Sequence, residues 1–248
     1  MMNLKSKQEL QIMREAGRIV AECHALIAER IKPGVSTDTL DVLVENHIRS
    51  RGAVPSFKGH HGFTASICVA KNDVICHGFP SKEPLQEGDV VTIDIGAFYQ
   101  GFHGDSGWTY AVGRVAPEIS KLMEVCHQSL FQGIAQAIEG NRVGDIGYTI
   151  DTIAKQHGYG NVRDFTGHGL GAELWEEPPV PHFGRQGTGP LIKNGLVLAI
   201  EPMFTLGDWR AFLEMDGWTA RTVDQSICVQ YEHSVAVTEN GPEILTKL

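Results

Sequence analysis

The run Val90-Val91-Thr92-Ile93-Asp94-Ile95-Gly96 would be apolar and β-branched on both faces of a strand, yet it carries a carboxylate near its centre. A run of this kind reads as a buried strand. An unpartnered carboxylate inside such a strand costs several kcal/mol, so Asp94 needs a positive partner. With Tyr99-Gln100 as a two-residue hairpin loop, Phe98 pairs with Gly101 and Asp94 falls directly opposite Asp105. Like charges opposed on a strand pair repel, and a cation between them relieves both costs. One shared metal ion, or two, meets that need.

The same oddity recurs further along. Leu196-Val197-Leu198-Ala199-Ile200 runs straight into Glu201-Pro202, and the apolar stretch from Ile227 to Val235 contains Glu232. His168 lies in Thr166-Gly167-His168-Gly169-Leu170-Gly171, where the flanking glycines let backbone and ligand approach closely. Taken singly, each of these has a plainer reading, as an edge or exposed carboxylate or as a loop histidine. Taken together, four carboxylates and one imidazole form an oxygen-rich set suited to a pair of divalent ions such as Mn²⁺, Fe²⁺, Co²⁺ or Zn²⁺.

Around these positions the periodicity predicts an α+β chain. A first helix is expected from Ser6 to about Ile31, closed by Pro33-Gly34, and a second from Ser36 or Thr37 to about Ser50. Lys58 to Phe63 reads as a Gly- and His-rich loop. Strands are expected at Ser66 to Ala70, Val90 to Ala97 and Phe102 to Val112, then helices at about Pro117 to Glu139 and Ile146 to His157. Strands return at Leu196 to Phe204 and Ile227 to Val237. Each half thus has helices and antiparallel strands, which predicts one domain over residues 1–248 with two related lobes.

Composition narrows the function classes. A net charge of −9 sets a field that repels phosphates, which excludes a nucleic-acid or anionic-membrane surface unless a basic patch overrides it. The densest basic group, Lys5, Lys7 and Arg14, alternates with Glu9 and Glu15 and reads as a solvated helix face. The five cysteines, at 23, 68, 76, 126 and 228, are odd in number and sit mostly in apolar surroundings, so reduced buried thiols in a cytoplasmic protein are expected. No apolar run is long enough to span a membrane, and the N-terminus lacks the pattern of a targeting segment.

Seven segments together resemble the type I methionine aminopeptidases of the pita-bread metallopeptidase family. They are Val74-Ile75-Cys76-His77-Gly78, the hairpin with Gly101-Phe102-His103-Gly104-Asp105, Thr166 to Gly171, Glu176-Glu177-Pro178, Ile200-Glu201-Pro202-Met203, Asp216-Gly217-Trp218 and Tyr231-Glu232-His233. The resemblance runs over almost the whole chain. It implies the pita-bread fold and metal ligation by the positions of Asp94, Asp105, His168, Glu201 and Glu232, the same five that look misplaced by charge. The 33 positions from His168 to Glu201 leave no room for the helical insertion of the type II enzymes, and the chain resembles the short bacterial form.

The implied activity is removal of the first methionine from nascent polypeptides whose second residue is small. Two divalent ions bridged by Asp105 and Glu232 activate a water in that scheme. Glu201 relays its proton to the leaving amine. His77 resembles the histidine that contacts the amide beside the scissile bond, and His61 is expected at the pocket rim. Phe63, Cys68 and Trp218 resemble the lining of a methionine pocket, where a thioether packs on aromatic rings. Nascent chain termini are the implied partners, with the ribosome as a candidate only, and the chain is expected to act as a monomer without nucleic acid or membrane. His60, His103 and His182 are left as loop or surface residues.

One position departs from the family. Where it carries a second histidine that contacts the substrate carbonyl, this chain has Trp175, whose indole donates one hydrogen bond and carries no charge. Phe57, His60 and Leu174 also differ from the commonest pocket residues. Two rival readings are an X-Pro peptidase of the same fold and a non-catalytic binding member, the second disfavoured because all five ligand positions are kept.

Overall fold

The computed structural model describes residues 2–248. Four α-helices lie against four antiparallel sheets. Helix α1 spans Lys7–Arg30 and begins with a capping box, in which Ser6 and Glu9 satisfy each other's backbone N–H. Helix α2 spans Thr37–Ser50, α3 Pro117–Ile134 and α4 Val143–His157. Helix α3 starts with Pro117 in its first turn, where the missing N–H costs nothing.

Two separate cores account for the two lobes. In the first, Ile19, Val20, Ile27, Leu40 and Val44 of α1 and α2 pack on Ile67, Val91, Ile93 and Ile95 of the N-terminal sheet. In the second, Leu122, Val125, Leu130, Ile146 and Ile150 of α3 and α4 pack on Leu198, Ile200, Phe204, Val229 and Val235. The α+β expectation with two lobes is borne out.

The central hairpin pairs Val90–Tyr99 with Phe102–Ala111, but its turn is Gln100-Gly101. Both turn residues have positive φ, 47° and 92°, as a two-residue hairpin demands, and Tyr99 stays in the ladder. Asp94 therefore faces Gly107 and Asp105 faces Gly96, so the expected direct pairing of the two carboxylates is corrected by two residues. A shift of two keeps both side chains on one face, as diagonal neighbours.

Two expected strands are each broken at a glutamate. Val197–Ile200 and Met203–Thr205 belong to different sheets, with Glu201-Pro202 between them. Cys228–Gln230 and His233–Thr238 likewise part at Tyr231-Glu232. Both glutamates sit where one sheet hands over to the next, which frees their side chains from the alternation of a ladder.

Candidate metal centre

The hairpin, the two breaks and a short strand at Gly167–Gly169 converge on one cavity. Glu232 is tied to the hairpin through its N–H, which donates to the Gly107 carbonyl at 2.7 Å, and through its carbonyl, which accepts from Ser106 Oγ at 2.6 Å. A Cβ at position 107 would lie 3.2 Å from Glu232 Oε2, so glycine there keeps room for the carboxylate. The backbone of Asp105 is held on both sides by Ser234, whose Oγ accepts from its N–H and donates to its carbonyl.

His168 is oriented by its own strand. Its Nδ1 lies 2.9 Å from the Gly169 carbonyl, which can only accept, so Nδ1 carries the hydrogen and Nε2 keeps its lone pair. That Nε2 stands 3.8 Å from both Asp105 Oδ2 and Glu201 Oε1. Burial pushes the ring down to about 4, which keeps it neutral. Asp105, His168 and Glu232 each offer a ligand atom, all within 4.8 Å of one another.

The electrostatics are those of a centre built for a cation. Burial pushes Asp94 up to about 7. Asp105, Glu201 and Glu232 are driven well above the usual carboxylate range, first by burial and then by neighbouring charge, that of Asp94 on Asp105 and Glu201 and that of Asp105 on Glu232. Asp94 Oδ1 and Asp105 Oδ1 are buried with no hydrogen-bond partner in the protein. Buried acceptors without donors, on a neutral imidazole and mutually repelling carboxylates, fit divalent metal ions.

Beyond the carboxylates the cavity, about 440 Å³ in volume, turns apolar. Phe63, Cys68 and Trp218 line this end, with Phe63 packed edge-on against Trp218 at 5.1 Å and stacked on Phe79 at 4.6 Å. His77 lines it too, in a left-handed backbone conformation with φ of 57°, edge-on to Phe165 and Trp218. His61 is outside the lining. It is exposed and stacks at 5.9 Å on Trp175, which borders the cavity, so it lies one ring away from the mouth.

Four residues differ from their sequence reading. His60 borders the cavity, edge-on to Trp175, with Nε2 buried. The ring of His103 lies 2.8 Å from Ser56 Oγ, and burial pushes it to about 4. His182 is wholly buried, its Nε2 accepting the Glu201 N–H at 3.0 Å. Lys5 is no part of a solvated face, for it forms a buried ion pair with Glu176 of the cavity wall. Gln230, which the sequence did not single out, donates from Nε2 to Glu201 Oε2 at 3.3 Å. Its one signal is a polar residue at an inward position two before Glu232. All five cysteines are buried free thiols, as expected.

Residues 11–239 match the model of metallopeptidase family M24. Methionine aminopeptidase 1 of Bacillus subtilis is 46% identical over 244 residues, covering 98% of each chain. The crystal structure of methionine aminopeptidase from Thermotoga maritima superimposes with a TM-score of 0.98 at 39% identity, and both chains are covered completely. The prolidase from Pyrococcus furiosus is more distant, at a TM-score of 0.81 and 25% identity, and the present chain spans 65% of it.

Proposed function

From its membership of metallopeptidase family M24, and its likeness along its whole length to methionine aminopeptidases, we propose that the chain removes the N-terminal methionine of polypeptides whose second residue is small. The observation that carries this reading is the apolar end of the cavity, with Phe63, Cys68 and Trp218, lying in the same pocket as four carboxylates, two of them fully buried, and a neutral histidine. One methionine side chain fits such an apolar end, which would leave the chain's terminal amine beside the carboxylates. The X-Pro alternative is not favoured, since the prolidase likeness is weaker and partial.

In this proposal Asp94, Asp105, His168, Glu201 and Glu232 hold two divalent ions, of Mn, Fe, Co or Zn, within a single catalytic domain of residues 1–248. Bound there, such ions supply Lewis acidity and a water acidified towards neutral pH. Glu201 would serve as the proton carrier, handing a proton to the leaving amine. His77 reaches the amide beside the scissile bond, and Phe63, Cys68 and Trp218 bind the thioether and exclude water, while His61 supports Trp175 from outside the mouth. The substrates are nascent chains, met as they leave the ribosome by a cytoplasmic monomer. No helix among the described residues is long and apolar enough to cross a membrane.

The deciding assay offers the Mn²⁺-, Fe²⁺- or Co²⁺-loaded protein Met-Ala-Ser, Met-Lys-Ser and Ala-Pro peptides. Release of methionine from the first alone supports the proposal. No turnover of any peptide with any of the three ions rejects it.

A further inference from the structure

The ladder between Val197–Ile200 and His233–Thr238 ends at the pair Ile200 and His233. The next residue, Glu201, precedes Pro202, and the strand after it joins another sheet. At this break the Glu201 N–H has lost its ladder carbonyl, and a buried N–H needs an acceptor. The acceptor is an imidazole, His182 Nε2, at 3.0 Å.

The main chain that carries His182 is firmly held, and its ring is enclosed. It is 0% exposed. Its carbonyl accepts from Asn161 Nδ2 at 2.7 Å, and Asn161 in turn donates to Asp151 of α4. The loop lies so close on α4 that a Cβ at Gly147 would stand 2.4 Å from the Pro181 carbonyl oxygen and 2.5 Å from that of Phe183. Because Nε2 accepts, the hydrogen sits on Nδ1, which is buried without a hydrogen-bond partner in the protein. At the other end of the same residue, Gln230 Nε2 holds Glu201 Oε2. Glu201 is thus gripped by its main chain and by its carboxylate.

We infer that His182 is a positioning residue for the reaction, one that completes the strand break at Glu201 and so fixes the direction in which the Glu201 carboxylate faces the metal centre. This rests on the proposed role of Glu201 as ligand and proton carrier. Outer partners that orient a ligand typically set about 10- to 100-fold in metal affinity or activity. His182 differs from an ordinary packing residue in one testable way: what it supplies is an acceptor atom, not volume.

The test compares His182→Gln, whose amide oxygen reaches the place of Nε2, with His182→Leu, which fills space and accepts nothing. Titration of the metal-free proteins with Mn²⁺ alone should show about 10- to 100-fold weaker binding for His182→Leu and a value within about threefold of wild type for His182→Gln. The visible spectrum of the Co²⁺-loaded Leu variant should shift, and kcat for Met-Ala-Ser should fall with KM within about twofold. Equal impairment of the two variants, or a folded Leu variant with wild-type metal affinity and spectrum, overturns the inference. A measurement on the wild-type chain stands even if the Leu variant does not fold: ¹⁵N-histidine NMR should show His182 as the Nδ1–H tautomer, and an Nε2–H tautomer overturns the inference. The metal affinity, the Co²⁺ spectrum and the NMR tautomer do not depend on peptide turnover, so an inactive wild type would reject the proposed function and leave this point to be decided by those three.

Discussion

Lys5 Nζ lies 2.6 Å from Glu176 Oε2, and the two side chains are 3% and 4% exposed. Lys5 also donates to the Asn3 carbonyl, while its own N–H donates to the Gly195 carbonyl, so the segment before α1 is sewn into the cavity wall that carries Trp175 and Glu176. Removing one partner of a buried pair leaves the other charge uncompensated.

Lys5→Met should therefore destabilise the protein by about 3–5 kcal/mol. In a domain of this size that lowers the melting midpoint by about 10 °C. Because Trp175 adjoins Glu176, KM for Met-Ala-Ser should rise as well. Adding Glu176→Leu should restore most of the lost stability, since the second substitution removes the orphaned charge. Calorimetry of the two single variants and the double variant gives the coupling. Additive losses would show that the pair carries no interaction.

Helix α1 rides directly on the central hairpin, and Gly104 is the contact point. A Cβ there would lie 2.7 Å from both the Ala16 carbonyl carbon and the Gly17 nitrogen, backbone atoms that no rotamer change can move. Gly104→Ala should cost about 1–3 kcal/mol by overpacking. It should also weaken Mn²⁺ binding, because Asp105 is the next residue and shares the displaced strand. Urea unfolding with and without Mn²⁺ measures both effects, and wild-type stability would mean that α1 yields more easily than its packing implies.

The carboxylates make metal binding a proton-releasing event. Asp94 is raised from its usual 3.8 to about 7, and Asp105, Glu201 and Glu232 are raised well above their ordinary range by burial and by neighbouring carboxylate charge. A raised folded-state value means stability that is present at low pH and lost as pH climbs through that value. The neutral histidines act oppositely: His168, at about 4, and His182, at about 3, favour the fold above the ordinary histidine range and lose that contribution on acidification. Above about pH 7 the histidine contribution is complete, and the raised carboxylates are joined by the buried thiols, which burial also raises, so both lower stability as pH rises. The metal-free melting midpoint should then fall from pH 7 to 8.5, and the gain on adding Mn²⁺ should grow. Calorimetric titration with Mn²⁺ at pH 6.5 in buffers of different ionisation enthalpy should show net proton release. A buffer-independent heat would contradict the raised carboxylates.

The sequence revealed the site better than it revealed the paths leading to it. Asp94, Asp105, Glu201 and Glu232 stand out because a charge in an apolar run is a local anomaly, visible without knowing its neighbours. Strand pairing is less local: alternation with a period of two says which face Asp94 and Asp105 share, and a slip of two residues changes the partner without changing the face. Only the positive φ required at Gln100 and Gly101 decides the register. His182 was hidden for a further reason. Its acceptor role exists because the strand breaks at Glu201, nineteen positions away, and nothing in Pro181-His182-Phe183-Gly184 differs from an ordinary loop. Lys5 likewise looks solvated beside Glu9, its buried partner Glu176 being distant along the chain.

Trp175 is the position where chemistry and packing pull apart. Its ring is 48% exposed, edge-on to His60 at 4.7 Å and stacked on His61, yet it borders the cavity where the family resemblance places a histidine beside the substrate carbonyl. An indole offers one neutral N–H, whereas an imidazole can donate and also carry charge as the carbonyl oxygen turns negative. One lost donor to such an oxygen typically costs about 10²–10³ in rate. Trp175→His should accordingly raise kcat for Met-Ala-Ser at least about tenfold, less than the full factor because the new ring lacks the contacts that orient the indole between His60 and His61. Trp175→Phe, which keeps an aromatic ring and removes the N–H, separates the two contributions. If the indole already serves as the donor, kcat falls in the Phe variant and changes little in the His variant. If the indole only packs, the Phe variant matches wild type and the His variant gains, which is the outcome expected from its exposure and its two aromatic neighbours.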